Sequence, residues 1–363
     1  MVLSCGAFQC TKLSNQKLLT DRKIIKITNH SGLKRWITKF LQYIFFPAIG
    51  ITIVWWLFRD QTLSEIIDVL ENDINYFWII ISIVLGILSH VSRALRWQQL
   101  IRATGENAGF NNSFWAVMTG YFINLLVPRM GEISKCGVIS KYEKISFTKV
   151  VGTVVVERLF DMLMLVVLFF VVLVLQFEVL RSFLVKYVDL VKMYDRLLSP
   201  VTWGVIFLIL VLVYVFRKTR HSLKIFHDFA SLWEKFKQGF FSIGKVENIW
   251  LFWAYTIFMW IMYFGMIYVA FFSFKDTSHL GIGAGLTILL TGSLGMMLPV
   301  QGGIGTWHAM VIATLAIYGV NHDMAAIFAL LVHGAQTLML IVMGILAFII
   351  LPLTNRNVKK HEA

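Results

Sequence analysis

The sequence predicts an all-α polytopic membrane protein, with about six full spans and two re-entrant helical elements arranged as an inverted repeat. Three observations point there. The mean hydropathy is +0.74, with 58% hydrophobic and only 15% charged residues, and several apolar runs reach the roughly 20 residues that cross a hydrocarbon core. The apolar stretch Thr119–Glu132, Thr-Gly-Tyr-Phe-Ile-Asn-Leu-Leu-Val-Pro-Arg-Met-Gly-Glu, is broken by Pro128 and Gly131. From Thr291 the order Thr-Gly, paired Met-Met, Pro and Gly returns, so that Pro299 answers Pro128 and Gly302 answers Gly131. Paired hydrophobic segments interrupted by Gly and Pro at matching places in two halves point to the binding site of a transporter built from inverted repeats.

The net charge of +13 would suggest nucleic acid in a soluble chain. Here the Lys and Arg residues lie in loops and tails, as the positive-inside rule requires, and no nucleic-acid partner is expected. Cys5, Cys10 and Cys136 are too few and too scattered for a disulfide framework or a zinc site. No metal and no cofactor is expected.

Residues 1–39 read as a basic cytosolic tail. The first membrane repeat covers 40–177, an external loop 178–200, and the second repeat 201–351 with a cytosolic loop at 217–247; residues 352–363 form a cytosolic tail. Full spans are expected at Phe40–Phe58, Tyr76–Trp97, Val150–Phe177, Val201–Phe216, Asn248–Ser273 and Ala325–Leu351. Ser113–Pro128 is shorter: at about 1.5 Å per residue it covers roughly 24 Å of a roughly 30 Å core. The Gly-rich pair Leu280–Pro299 and Ile304–Val320 is its counterpart.

Charge decides whether the short elements cross. If each enters and returns to its own side, the N-terminal tail, Lys135–Lys149, Arg217–Lys245 and the C-terminal tail all lie in the cytoplasm, and the acidic loop Asp60–Asp73 lies outside. Three spans per half then invert the second half. The segment Ile133–Lys149 is too polar to face lipid, and is expected to line a wet cavity or lie at the interface.

Within Val150–Phe177, Thr153, Glu157 and Asp161 share one helix face, and Arg158 reaches Asp161 at the i, i+3 spacing. Three charges facing lipid would cost roughly 7 to 10 kcal/mol, so they face the interior, either as an ion-pair knot or as the wall of a cavity. Arg129 and Glu132 would complete a site suited to a zwitterionic or anionic headgroup, since the planar Arg fork binds paired oxygens. Arg93 and Arg96 either anchor the end of their span or cap the same cavity. In the second half, Gln301-Gly302-Gly303-Ile304-Gly305-Thr306-Trp307-His308 opens a short helix, where successive backbone N–H groups can meet an anion. His308 and His333 read as packing histidines or as proton carriers.

In order, Arg93-x-x-Arg96-Trp97, Pro128-Arg129-x-Gly131-Glu132, Glu157-Arg158-x-x-Asp161 and Gly302-Gly303-Ile304-Gly305 resemble the membrane region of lysylphosphatidylglycerol synthases, the flippase-like domain family. The resemblance covers about Phe40–Leu351. It implies a lipid flippase-like fold, whose better-known members move aminoacylated phosphatidylglycerol between leaflets. The family's last motif usually reads Pro-Gly-Gly-x-Gly-x-x-Glu; here Gln301 stands at the second Pro and His308 at the Glu. No aminoacyl-transfer domain follows the last span, so synthesis of lysyl-lipid is not expected.

The function expected is a flippase-like transporter of an amphipathic phospholipid or lipid-linked headgroup, in the inner membrane, with a homo-oligomer open. The headgroup would meet Arg129 at one mouth and the Gly302 loop at the other. An intramembrane enzyme built on Ser293 and His333 is the alternative, although Gly292-Ser293-Leu294-Gly295 lacks the first Gly of a nucleophile elbow. A scaffold for a lipid-biosynthetic enzyme is a third reading. The charge argument makes one direct prediction: single cysteines at Lys275 and Asn321 both label from outside with a membrane-impermeant thiol reagent. Labelling of only one would mean that the second short element crosses the membrane.

Overall fold

In a computed structural model, residues 46–59, 62–179, 181, 203–204, 211 and 246–355 are described. The expected basic tail, most of the external loop 178–200, most of the span at 201–216, the cytosolic loop up to residue 245 and the tail from residue 356 lie outside them.

The elements run α1 (Phe46–Phe58), α2 (Leu63–Asn72), α3 (Tyr76–Arg102), α4 (Phe110–Leu126), α5 (Gly131–Glu143), α6 (Phe147–Leu175), α7 (Ile249–Ala270), α8 (Ile282–Met297), α9 (Thr306–Ile317) and α10 (His322–Thr354), with 3-10 turns at Phe271–Ser273 and Gln301–Gly303. No strand occurs among the described residues. Four helices are long and apolar enough to span a membrane: α3, α6, α7 with its 3-10 extension, and α10. They coincide with four of the six expected spans. Of Phe40–Phe58 the described part begins at Phe46, as the 13-residue α1.

The long helices show their sequence logic on the surface. Val155, Val166, Phe169, Phe170 and Val174 of α6 are exposed, while Thr153, Val154, Glu157 and Phe160 are buried. An outward face without polar groups suits lipid, and the polar face must find partners within the protein. α3 and α7 pack together along their length. The joint is held by small polar residues: Ser82 Oγ donates to the Met266 carbonyl at 2.9 Å, and Ser92 Oγ to the Tyr255 carbonyl at 2.8 Å. Such interhelical hydrogen bonds and small side chains take the place of a hydrophobic drive inside a bilayer.

The two interrupted motifs form helical hairpins. In the first, α4 packs on α5 and the chain turns at Pro128–Arg129, where Arg129 adopts φ 62°. Gly131 lies so close to Gly120 that an added Cβ would strike the Gly120 carbonyl oxygen, and the Gly131 N–H donates to Asn124 Oδ1 at 2.7 Å. In the second, α8 packs on α9 through a turn in which Gly302, Gly303 and Gly305 all have positive φ (56°, 73° and 83°). Thr306 Oγ1 donates to the Gly295 carbonyl at 2.9 Å and ties its arms. At about 1.5 Å per residue, the 17 residues of α4 and 16 of α8 reach roughly 24 to 26 Å, short of a roughly 30 Å core.

The polar segment after Gly131 folds as α5 and ends at Lys144 in a left-handed cap, φ 58°. Its Lys135, Cys136 and Ile139 are buried. Two hydrophobic clusters share the interior. One joins α3, α4, α5, α6, α7 and α10 around Trp97, Met118, Ile139, Phe160 and Phe252; the other joins α7, α8, α9 and α10, with residues of α1, α3 and α6, around Phe271, Ile288, Val311 and Phe328.

The first hairpin gives a sharp test. Gly131→Val should lower thermal stability in detergent by about 1 to 3 kcal/mol or prevent folding, because the added side chain meets backbone. Gly137→Ala on the same helix, where nothing lies within 4 Å of an added Cβ, should leave the unfolding temperature unchanged.

Candidate functional site

Charged residues from α3, α5 and α6 meet inside the bundle. Glu157, with a fully buried side chain, takes Arg93 Nη1 on Oε1 at 2.6 Å and Lys135 Nζ on Oε2 at 2.6 Å, with Arg96 Nη2 at 3.7 Å. One turn on, Asp161 receives Arg96 Nη2 on Oδ1 at 2.6 Å, and Arg93 Nη1 and Arg158 Nη1 on Oδ2 at 3.0 and 3.3 Å. Arg158 also pairs with Glu132, and both are more exposed than the rest. The pattern follows from helical geometry. Glu157 and Asp161 stack on one face of α6 and meet Arg93 and Arg96, which are three apart on α3, so both carboxylates see both guanidiniums.

Aromatic and hydroxyl groups fix the cluster. Trp97 Nε1 donates to Thr153 Oγ1 at 2.9 Å, and Lys135 Nζ lies 4.4 Å from the centre of the Trp97 ring. Arg93 Nε and Nη2 donate to Tyr263 Oη at 3.2 and 3.1 Å, which carries the network onto α7. These charges are thus an ion-pair knot, and two of them, Arg93 and Asp161, also stand in the wall of a central cavity.

A cavity of about 430 Å³ adjoins the cluster. At one wall stand His90, Arg93, Tyr121, Asp161 and Tyr263; the remainder is mostly apolar, with Met162, Leu165, Ile288, Leu289, Met296, Val332 and Leu340. α3, α4 and α6 supply one side, and α7, α8, α9 and α10 the other. A second chamber of about 380 Å³ is lined by Pro128, Arg129 and Glu132 of the first hairpin tip and by Leu298, Pro299, Val300, Gly302 and Gly303 of the second. Asn124, Met296, Met297 and Gly302 line both chambers.

Arg93, Asp161, Arg129, Glu132, Gly302 and Gly303 therefore line cavities. Arg96 and Glu157 are buried behind the wall and hold the cluster together, and Arg158 lies at the narrow cleft between Glu132 and Lys135. Gln301, Gly305 and His308 line neither chamber. The positive-φ turn explains this, because it swings Gly305 against α1, where an added Cβ would lie 2.6 Å from the Gly50 carbonyl oxygen. His308 Nδ1 accepts the Gly305 N–H at 3.3 Å, so the side chain closes the start of α9 instead of facing a ligand.

The hairpin tips also differ from expectation. Instead of marking opposite mouths, Arg129 and the Gly302 loop share one chamber. The two hairpin tips come together, and Gly302 sits directly beside the Leu125 side chain. Ser293 and His333 both line the central cavity but are engaged elsewhere: Ser293 Oγ donates to the Leu289 carbonyl at 2.6 Å, and His333 Nε2 lies 2.9 Å from the Gly302 carbonyl oxygen. They are not hydrogen-bonded to each other as a nucleophile and its base would be.

Sequence reasoning missed Lys135, Tyr263, Tyr121, His90, Trp260 and Gln336. His90 was legible, since it stands three residues before Arg93 on the polar face of α3. Lys135 carried no signal, because α5 has no apolar periodicity to show which side turns inward.

The fold defines a class: a multi-pass helical membrane protein with two broken hairpins around an amphipathic cavity. Residues 43–344 match the family model described as the lysylphosphatidylglycerol synthase TM region, and the chain belongs to that family. It is 35% identical over 150 residues to a UPF0104 membrane protein of Methanocaldococcus jannaschii, covering 40% of this chain and 43% of that one. A UPF0104 membrane protein of Pyrococcus horikoshii is 27% identical over 133 residues, 36% of this chain and 38% of the other. Each match thus spans about two fifths of the relative's length. No solved structure matches the chain.

Glu157→Gln leaves Lys135 and Arg93 short of a buried counter-charge and should cost about 3 to 5 kcal/mol. Combining it with Lys135→Met should recover part of that loss. Thermal unfolding of the purified variants in detergent would read both effects.

Proposed function

We propose that the chain is a flippase-like transporter that moves an amphipathic phospholipid or lipid-linked headgroup between membrane leaflets by alternating access. The observation that carries the reading is the central cavity: it is charged at one wall, apolar over the rest, and built from both halves of the chain. Its volume lies in the range of small-ligand sites, roughly 300 to 1,000 Å³. That suits a headgroup whose acyl chains stay in the bilayer.

An inverted repeat is part of the proposal, and chain register supports it. Moving the first half along by the 171 residues that separate Pro128 from Pro299 lays α4 on α8, α5 close to α9, and α3 and α6 close to α7 and α10. Contacts exchange in the same way: α10 packs on α4 as α6 packs on α8, and α5 meets α6 as α9 meets α10. The remaining first span of each half completes six, with three per half, and both termini are cytoplasmic in an inner membrane. Rocking of one half against the other would open the shared chambers to each leaflet in turn.

Arg129 supplies a cationic contact at the hairpin tips, and Gly303 the close backbone approach. In vesicles reconstituted with labelled lipid, Arg129→Ala and Gly303→Val should each slow translocation at least about tenfold while the protein stays folded. The valine meets both a positive φ and the Met296 side chain. Wild-type rates in both variants would remove the hairpins from the mechanism. Appearance of a chemically altered lipid would place the chain among intramembrane enzymes.

A further inference from the structure

The long helices α6 and α10 end alike. Each closes on a carboxamide residue, Gln176 after α6 (φ −115°, ψ 20°) and Asn355 after α10 (φ −109°, ψ 25°), whose backbone N–H donates to the carbonyl four residues earlier. Both side chains then reach the base of a hairpin that belongs to the other half of the chain. Asn355 exchanges hydrogen bonds with Asn112 in the first turn of α4: Asn355 Nδ2 donates to Asn112 Oδ1 at 2.8 Å, and Asn112 Nδ2 to Asn355 Oδ1 at 3.1 Å. Beside them Asn111 Nδ2 donates to Thr354 Oγ1 at 3.2 Å. Glu143, the last residue of α5, accepts from Asn112 Nδ2 and from the Gly109 N–H, both at 2.8 Å, and so ties the two arms of that hairpin beneath the joint.

The second hairpin has a joint of its own. Tyr318, which caps the end of α9, donates its hydroxyl to Gln176 Oε1 at 3.0 Å, and Thr287 Oγ1 of α8 lies 2.9 Å from the same hydroxyl. Gly283, in the first turn of α8, lies so close to Gln176 that an added Cβ would strike its amide. α10 starts just after Tyr318 and ends at Asn355, so its 33 residues, roughly 50 Å at about 1.5 Å per residue, separate the two joints.

These joints differ in kind from the bonds deeper in the bundle. The ion pairs of Glu157 and Asp161 run between α3, α5 and α6, all within the first half, and survive movement of one half against the other. α3 and α7, counterparts in chain register, pack along their length as a seam between the halves. At the two joints, what crosses from half to half is hydrogen bonding between neutral groups, and Asn112, Asn355, Gln176 and Tyr318 are only half-buried. Such bonds contribute little net, because water can replace them. A weak, water-accessible contact repeated at opposite ends can open at one end while the other stays shut.

We infer that the two joints are the gates of the chain, Asn112 with Asn355 at one membrane face and Gln176 with Tyr318 at the other, opening in turn about the α3–α7 seam. In the structure both are closed. The inference rests on the alternating-access reading and names its moving parts. With the topology expected from charge, the Asn112 gate faces the cytoplasm and the Gln176 gate faces outside.

Hydrogen exchange of the full-length protein in phospholipid nanodiscs, read by mass spectrometry over residues 103–113 for the first gate and over 278–287 and 315–321 for the second, gives the test. Asn355→Ala should speed exchange at the first gate at least about fivefold, the factor that one lost hydrogen bond gives, and should slow it at the second. Tyr318→Phe, which removes a single hydroxyl, should do the reverse. Asn112→Ser and Gln176→Ala make the same two cuts from the opposite sides, should a first variant not fold. The response at the far end is decisive, because a plain structural anchor loosens only where it is cut, whereas a shifted equilibrium moves both ends.

The same proteins in phosphatidylcholine vesicles doped with tail-labelled phosphatidylglycerol read transport. Opposite responses at the two ends, together with lipid movement by the wild type, support both the gates and the transporter. Opposite responses with no lipid moved keep the gates and remove the transporter reading. Lipid movement with no response at the far end overturns the gates and leaves the transporter. With neither a far-end response nor lipid movement, both fall.

Discussion

The structure depends on burying charge. Glu157 has a fully buried side chain and contacts three cations, two from α3 and one from α5. An isolated carboxylate at that depth would be expelled or neutralised. It is tolerated because Arg93, Arg96 and Lys135 arrive from two directions, with Arg93 also donating to Asp161 and Tyr263, Arg96 Nη2 to Asp161, and Lys135 lying over the Trp97 ring. This fixes the relative position of α3, α5, α6 and α7. The first hairpin must therefore fold back far enough to bring Lys135 to Glu157, and that return forces Gly131 onto Gly120 with no room for a side chain.

From that constraint the cavity follows. Helices held by charge pairs rather than by continuous apolar packing leave space beside the pairs, and here the space lies between the two halves of the chain. Its wall has one charged face, with Arg93 and Asp161, and another that is apolar, an amphipathic pattern. The adjoining chamber brings together the two hairpin tips, with Arg129 in a left-handed conformation and three glycines at positive φ. Unusual backbone is thus gathered where the two hairpin tips meet, next to a charged cavity.

Much of this was legible in the sequence. Hydropathy located four long spans, since lipid-facing helices such as α6 advertise themselves by uninterrupted apolar runs. The Pro128 and Pro299 motifs marked both hairpins, because Gly and Pro break helices wherever they occur. Glu157 and Asp161 exposed themselves as charges within an apolar run, and four-residue spacing placed them on one face. What was not legible depends on distance in the chain. Nothing local says that Lys135 reaches Glu157, that Tyr263 receives Arg93 from 170 residues away, or that the two tips share a chamber. His308 misled for a physical reason: a histidine three residues after a glycine at a helix start reads equally as a ligand or as a cap, and here it caps.

The central claim is that a lipid headgroup occupies the cavity between the halves. Mass spectrometry of lipid carried through purification tests it most directly, comparing the wild type with Ser293→Trp, which fills the cavity from α8 without touching the ion pairs. The account predicts that the wild type retains a defined phospholipid and that the filled variant loses it while unfolding at the same temperature. Retention of the same lipid by both proteins would place the lipid elsewhere and contradict the account.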